Sequence, residues 1–258
     1  MYFLESPNTR PEYNLALEEY LCRLKHGAFF MLWRNKPSVI IGRFQDAGSE
    51  VNAAFVSSRR IPVLRRDTGG GAVYHDLGNV NYSFIVPDRV EYGFARFAEK
   101  IISVLAGMGL NAEFSMERND ILIDGGKVSG MAQRRREGTL LCHGTLLFDC
   151  DLNALAQALN VPEEKLRRHS VQSVRGRVRN LKPLLPRLTD AEAFMASFWR
   201  AFQEGDNEAA AAVPFTLSRE DVAEVARLMR GKYLNAAWND NGIWNDEGIE
   251  NNTERGDE

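Results

Sequence analysis

The segment Asn119 to Arg134, NDILIDGGKVSGMAQR, constrains the fold more than any other. Two strand-like runs, Asn119 to Ile123 and Lys127 to Arg134, flank Asp124-Gly125-Gly126. Adjacent glycines supply the positive φ that a tight turn requires, so the pattern predicts a hairpin and antiparallel pairing. More strands are expected from Phe29 to Gly42 as a pair around Asn35-Lys36-Pro37, and at Ile61 to Leu64, Val80 to Val86 and Thr139 to Phe148. Helical spacing of apolar residues marks Pro11 to Leu24 and Tyr92 to Leu110, and helices are also expected at Val51 to Arg59, Leu152 to Leu159, Pro162 to His169, Thr189 to Phe202 and Ser218 to Tyr233. Ser218 and Asp221 offer a start resembling a capping box for the last of these. Strands dominate the first half and helices the second. The fold class is therefore α+β, with a mixed, largely antiparallel sheet flanked by helices.

Composition narrows the function classes. At 258 residues and 44% hydrophobic, the chain suits one large domain, or one domain with a small appendage, around a real core. A formal net charge of −3 argues against a general nucleic-acid binder. Cys22, Cys142 and Cys150 are odd in number and lack CxxC spacing, which disfavours a disulfide framework or a structural zinc site and fits a reducing cytoplasm. No signal-peptide pattern opens the sequence, and no run approaches the roughly 20 apolar residues that span a bilayer, so no membrane association is expected. Residues Asn239 to Glu258 carry seven acids against Arg255, a composition expected of a disordered or loosely attached tail, which leaves 1–238 as the folded domain.

The chemistry-bearing segment is Arg65 to Asn81, RRDTGGGAVYHDLGNVN. Gly69, Gly70 and Gly71 leave a bare backbone able to approach a ligand and aim N–H groups at an anion, with Arg65 and Arg66 beside it as charged phosphate partners. Taken alone, the run reads equally as a glycine-rich hairpin. It is neither a P-loop, since no Gly-Lys-Ser/Thr follows, nor a GxGxxG dinucleotide loop. Asp120, beside Asn119, has the oxygen chemistry for Mg²⁺ but also suits a turn. Lys127, flanked by small residues, can reach a carboxylate or phosphate or simply stay exposed. His143, inside an apolar strand, is a pocket or a structural histidine. Lys165 to Lys182 is basic and acid-free, a solvated face or a docking patch for an acidic partner.

Together these segments resemble the lipoate–protein ligase A family. The motifs are NLALEEYL from Asn14, LWRN from Leu32, VIIGRFQ from Val39, RRDTGGGAVYHDLGN from Arg65, RND from Arg118, KVSGMAQRR from Lys127, HGTLLFDCDL from His143 and SVRGRVRNL from Ser173, spanning about residues 2–238. The resemblance implies a fold related to biotin ligases and class II aminoacyl-tRNA synthetases. It implies ATP-dependent conversion of lipoate to lipoyl-AMP, then transfer to a lysine on apo lipoyl domains of 2-oxoacid dehydrogenase E2 subunits or the glycine cleavage H protein. It assigns Arg66 and the segment Gly69, Gly70, Gly71, Ala72, Val73 and Tyr74 to the nucleotide, and Lys127 to the reacting centre as the catalytic residue. It places His75 and His143 in the pocket and Asp120 at Mg²⁺, with Leu15, Leu17 and Trp33 as candidate walls of an acyl tunnel, and it turns Arg175, Arg177 and Arg179 into candidates for steering an acidic lipoyl domain. Many family members carry a further small C-terminal domain, so a separate small subunit is expected to assist adenylation. The alternatives are a lipoyl or octanoyl transferase acting through a cysteine thioester, and a non-enzymatic lipoate-binding assembly subunit.

Overall fold

The computed structural model describes residues 1–24, 26–89, 91–160 and 178–242. Among them, the large sheet has eight strands in the order β11-β1-β2-β6-β10-β9-β8-β7. These are β1 (Tyr2–Glu5), β2 (Phe29–Arg34), β6 (Asn79–Pro87), β7 (Glu113–Ser115), β8 (Asp120–Ile123), β9 (Gly126–Arg136), β10 (Thr139–Leu147) and β11 (Val213–Pro214). Only the β11–β1 and β1–β2 pairs are parallel. A second sheet holds β4 (Val63–Arg65), β3 (Ser38–Ile41) and β5 (Val73–His75), with β3–β4 parallel and β3–β5 antiparallel. The sheet is mixed and mostly antiparallel, and the expected hairpin forms with Gly125 at φ +73° in its turn.

Helices cover both faces of the large sheet, which explains why β2, FFMLWR, is apolar at five successive positions. Phe30 and Leu32 join Tyr82, Phe84 and Leu140 against α4 (Phe94–Gly107) and α6 (Ala191–Gly205). Phe29, Met31 and Trp33 turn to the opposite face, against α1 (Pro11–Leu24) and α8 (Arg219–Leu228). The two-residue period has a further consequence on the neighbouring strands. Val80, Tyr82 and Phe84 of β6, and Leu140, Cys142 and Leu146 of β10, enter the first core. Asn81, Ser83, His143 and Thr145 therefore project to the α1 face. The small sheet packs under α3 (Ala53–Arg59) and α5 (Leu152–Ala158), with α2 (Ala47–Glu50) beside them. Among the described residues the other α-helices are α7 (Asn207–Ala210) and α9 (Ala236–Asn241).

Most elements form where the sequence indicates, and the Ser218–Asp221 capping box is present. Three expectations change. The strands expected as a pair across Asn35-Lys36-Pro37 go to different sheets, because β2 is already paired on both edges, by β1 and β6. The helix expected over 218–233 leaves α-geometry after Leu228 and continues as a π turn over Met229–Tyr233. The segment expected to begin a loose tail at Asn239 instead completes α9 through Asn241, with Gly242 as its left-handed cap; the residues beyond 242 lie outside the described set. The expected helix at 162–169 and most of the basic stretch, 165–177, also lie outside the described residues. No helix among the described residues is long and apolar enough to cross a membrane.

Arg65 explains how α9 is fixed to the small sheet. The residue is 2% exposed, its guanidinium is committed to backbone carbonyls, and it is absent from the cavity that Arg66 and Lys127 line, which corrects the reading of Arg65 as a phosphate partner. Nη1 donates to the carbonyls of Gly42, Arg43 and Gln45, and Nη2 to those of Asn239 and Asp240. Nε donates to the Trp238 and Asn239 carbonyls, and the Trp238 indole returns a bond to the Arg65 carbonyl at 2.8 Å. A cation at carbonyls that a short helix leaves open is favoured by both hydrogen bonding and the helix dipole. Replacing Arg65 with Met strands these acceptors and is expected to lower unfolding free energy by about 3 kcal/mol. Urea denaturation measures the loss, and hydrogen exchange should show α9 deprotected first.

A second buried charge cluster joins α1 to the C-terminal helices. Glu19 accepts from Lys232 Nζ at 2.8 Å, from the Tyr233 hydroxyl at 2.6 Å and from Arg23 at 2.6 Å. Burial alone raises the Glu19 carboxyl, but these partners outweigh it and hold it at about 2 against an ordinary 4.5. The unfolded chain then binds the extra proton between those values, so this stabilisation is complete above pH 4.5 and is lost as pH falls toward 2. This stabilisation amounts to about 3 kcal/mol. A Glu19→Gln variant should be less stable at pH 7 yet lose less on acidification from pH 5 to 2, as followed by thermal melts.

Candidate active site

Of the three consecutive glycines only Gly70 is required by backbone conformation, since a Cβ on Gly69 or Gly71 would meet nothing within 4 Å. Gly70 has φ +88°, and a Cβ on Gly42 would lie 2.1 Å from the Gly70 carbonyl oxygen. The loop is held from below by Arg66. Nη2 donates to the carbonyls of Gly69 and Gly71 at 2.6 and 2.8 Å, Nη1 to Ile40 at 3.1 Å, and Nε to Thr68 Oγ1 at 2.9 Å. Burial lowers the guanidinium to about 10, partly offset by Glu18, so it remains charged at neutral pH.

Thr68 carries the connection onward. Its hydroxyl, which accepts from Arg66, also lies 2.8 Å from His143 Nε2. On the other side of the ring, His143 Nδ1 faces Glu18 at 2.8 and 3.0 Å. Glu18 Oε1 also accepts from Ser83 Oγ at 2.6 Å, and Ser83 accepts from the Trp33 indole at 2.9 Å. This buried relay ties α1, β2, β6 and β10 to the loop, and every polar atom in it has a partner.

The loop and relay border a cavity of about 220 Å³. Leu15, Trp33, Ile40 and Val73 give it an apolar wall, while Arg118, Asp120 and Lys127 bring charge, and Asn119 an amide, from the β8–β9 hairpin and its approach. Lys127 Nζ lies 2.7 Å from Asp120 Oδ1. Gly130 makes that possible, since a Cβ there would meet Lys127 Nζ at 2.7 Å and Cε at 3.0 Å. His75 enters through β5, with its ring edge-on to Trp33. Burial pushes the His75 imidazole down to about 3, with Arg66 and His143 adding to the effect, so it is neutral at working pH.

Of the residues singled out by sequence, Arg66, Gly70, Gly71, Ala72, Val73, His75, Asp120, Lys127 and His143 line this cavity. Gly69 does not; its carbonyl serves Arg66. Tyr74 does not, because β5 alternates, sending Val73 and His75 inward and Tyr74 into the opposite core with Val39 and Ile41. Leu17 is fully buried in the α1 core, so of the three proposed walls only Leu15 and Trp33 reach the cavity. Sequence reading missed Thr68, Glu18, Asn35 and Asn81 as parts of this site, whereas Gly130 and Thr145 fall in the segments it singled out around Lys127 and His143. The i, i+4 spacing of Asn14 and Glu18 would have put both on one face of α1.

The three cysteines are buried, and none lines the cavity. Burial pushes the Cys22 thiol up to about 12 and raises Cys142 and Cys150 as well, the opposite of an activated nucleophile. Among the described residues no cluster of three His, Cys, Asp or Glu side chains is arranged to hold a metal. Asp120 is a single carboxylate, which suits Mg²⁺, an ion that completes its shell with water and phosphate oxygens. Of the basic stretch, Arg179 pairs with Asp124 and Lys182 with Asp149, each at 2.6–2.7 Å.

Comparison with known proteins agrees with this geometry. Residues 10–203 match the model of the lipoyl protein ligase A/B catalytic domain. The chain is 36% identical over 246 residues to lipoate–protein ligase LplJ of Bacillus subtilis, covering 93% of this chain and 73% of that one. It superposes with a TM-score of 0.81 on a bipartite lipoate protein ligase of Thermoplasma acidophilum, solved as part of a study with its E2 lipoyl domain, at 29% identity over 95% of this chain and 98% of that one. A lipoate–protein ligase A bound with ATP aligns with a TM-score of 0.78 at 28% identity, covering 94% and 98%. By its sequence match and its fold, the chain belongs to the lipoyl protein ligase A/B catalytic-domain family.

Proposed function

We propose that this lipoate–protein ligase activates lipoate with ATP to lipoyl-AMP and passes the acyl group to a lysine of an apo lipoyl domain. The observation that carries the reading is one cavity that joins an apolar wall to the Lys127–Asp120 pair beneath a bare glycine backbone. The wall suits an aliphatic acyl chain, and the charged side suits its carboxylate and a phosphate. The relatives' printed names, and the neighbour bound with ATP, support the same substrates.

The roles follow from charge. When a lipoate carboxylate oxygen attacks the α-phosphorus of ATP, two anions approach, an acyl–phosphate bond forms and pyrophosphate leaves. Lys127 Nζ, held at the cavity, offsets that charge. Gly70 and Gly71 offer backbone with no side chain in the way, and Arg66 keeps that backbone in shape while adding positive potential. Asp120 is the residue that would hold Mg²⁺, which when bound shields the phosphate charge. In the second step the acceptor lysine amine attacks the acyl carbon, an amide forms, AMP leaves and the amine proton passes to water. The acceptor is a lipoyl domain of an E2 subunit or an H protein, supported by the archaeal neighbour studied with its E2 domain. That neighbour's bipartite description also supports assistance by a separate small protein in adenylation.

The test combines the chain, ATP, Mg²⁺, lipoate and an apo E2 lipoyl domain, with and without such a small protein, and follows the domain by mass spectrometry. A lipoyl adduct that depends on ATP is expected; transfer from a preformed acyl thioester alone, abolished when all three cysteines become Ala, would instead establish the transferase. Lys127→Ala should lower lipoyl-AMP formation at least 100-fold, about 2.7 kcal/mol of lost transition-state stabilisation.

Gly130→Ala probes the same lysine indirectly. Its new methyl displaces only the mobile end of Lys127, so stability should change by less than about 1 kcal/mol. Adenylation should nevertheless fall about tenfold or more, because the ammonium no longer rests against Asp120. Unchanged rates in this variant would mean that the observed Lys127 position is irrelevant to the reaction.

A further inference from the structure

His75 is the cavity residue whose hydrogen bonding is incomplete. Its side chain is 3% exposed, and Nε2 is buried without a partner. The other ring nitrogen is fully specified by a chain of amides. Asn14 Nδ2 is identified by the carbonyls it faces, Asn8 at 3.0 Å and Arg34 at 2.9 Å. It also faces Asn35 at 2.8 Å, which makes that atom Oδ1 and leaves Asn35 Nδ2 directed at His75 Nδ1, 3.0 Å away. An amide N–H donates, so His75 Nδ1 accepts, and the single proton of the neutral ring lies on Nε2. A donor is thus buried in the wall of the cavity with nothing to receive it.

The surroundings define what would complete it. Trp33 lies edge-on to the ring at 5.9 Å between centroids, and Leu15, Ile40 and Val73 line the same cavity. Within an apolar portion of the site, a plain alkyl chain brings no acceptor and leaves the buried N–H unpaired. A chain that ends in a disulfide-containing ring brings sulfur lone pairs, weak acceptors but acceptors all the same.

We propose that His75 Nε2–H is a specificity-determining donor that favours a sulfur-bearing acyl chain over an alkyl chain of equal length, and that Asn35 is the positioning residue that keeps the proton on Nε2. The proposal rests on the ligase reading above and deepens it. Asn35 touches no substrate; it acts through the tautomer of His75.

The experiment measures kcat/KM for lipoate and for octanoate separately, in ATP-dependent acylation of an apo lipoyl domain, for the natural chain, His75→Phe and Asn35→Leu. The natural chain should favour lipoate, and His75→Phe should reduce the lipoate-to-octanoate ratio about tenfold, since a ring without N–H neither rewards sulfur nor penalises its absence. Asn35→Leu should move the ratio the same way. ¹⁵N-edited NMR should show His75 protonated on Nε2 in the natural chain and redistributed in Asn35→Leu, a change that mere loosening of packing does not produce. If the variants fail to fold, NMR of the natural chain decides: lipoate, and not octanoate, should shift the His75 Nε2–H signal. A ratio unchanged within twofold, a preference for octanoate in the natural chain, or equal shifts from both acids overturns the proposal. Absence of any ATP-dependent acylation by the natural chain would instead remove the ligase reading on which it stands.

Discussion

Two neighbouring guanidiniums are buried on opposite sides of one short strand, and the rest of the site depends on them. β4 has three residues and cannot support a long loop by ladder pairing alone. Strand alternation sends Arg65 toward α9 and Arg66 under the glycine loop. Each supplies N–H donors to carbonyls that no strand or helix reaches. Only arginine suits both positions. Its charge survives burial, and its donors are held in a fixed planar fork, whereas a lysine would present one compact point charge. The cost of burying two like charges side by side is met by the number of carbonyls each engages and, for Arg66, by the nearby Glu18 carboxylate.

The same alternation explains how an apolar protein interior acquires a polar site. β6 and β10 are adjacent and antiparallel, with His143 opposite Ser83 and Thr145 opposite Asn81. Their other faces carry Tyr82, Phe84, Leu140 and Cys142 into the main core. A single pair of strands thus separates a hydrophobic layer from a hydrogen-bonded one, with no loop needed to carry the polar groups. Rigidity follows, since these side chains stand on the central ladder of the sheet and not on its edge. Glu18 reaches the ladder from α1, and its carboxylate satisfies His143 and Ser83 together.

Local chemistry was legible in the sequence wherever one residue type has one physical use. The Asp124-Gly125-Gly126 turn, the Ser218–Asp221 cap and the apolar period of α4 all form as their residues indicate. The glycine loop, Lys127, His75 and His143 were visible as candidates and do meet at one cavity. What composition could not reveal was direction. Arg65 and Arg66 are identical in type and adjacent, yet one binds a helix end more than 170 residues away in sequence and the other supports the loop. Tyr74 and Leu17 sat among site residues and point elsewhere, because β5 alternates and α1 turns Leu17 into its own core. Such assignments depend on which elements pack together, a long-range property absent from any window of sequence.

The resting pair of Lys127 and Asp120 has a meaning for the proposed chemistry beyond its short distance. A lysine left alone in a half-buried cavity would swing to solvent and would have to be recruited by each incoming phosphate, at the cost of ordering four rotatable bonds. Held by Asp120 across the gap that Gly130 leaves open, it is already ordered, and a ligand anion needs only to displace or share the carboxylate. Asp120 thereby costs some affinity for the ground-state anions, because it competes for the same ammonium. That competition weakens as negative charge builds on the phosphorus centre, so the pair favours the transition state over the bound substrates, and differential binding of this kind is what accelerates a chemical step. Removing the carboxylate alone would leave the lysine charged but unordered, and the loss would then appear in the rate of adenylation more than in the binding of ATP.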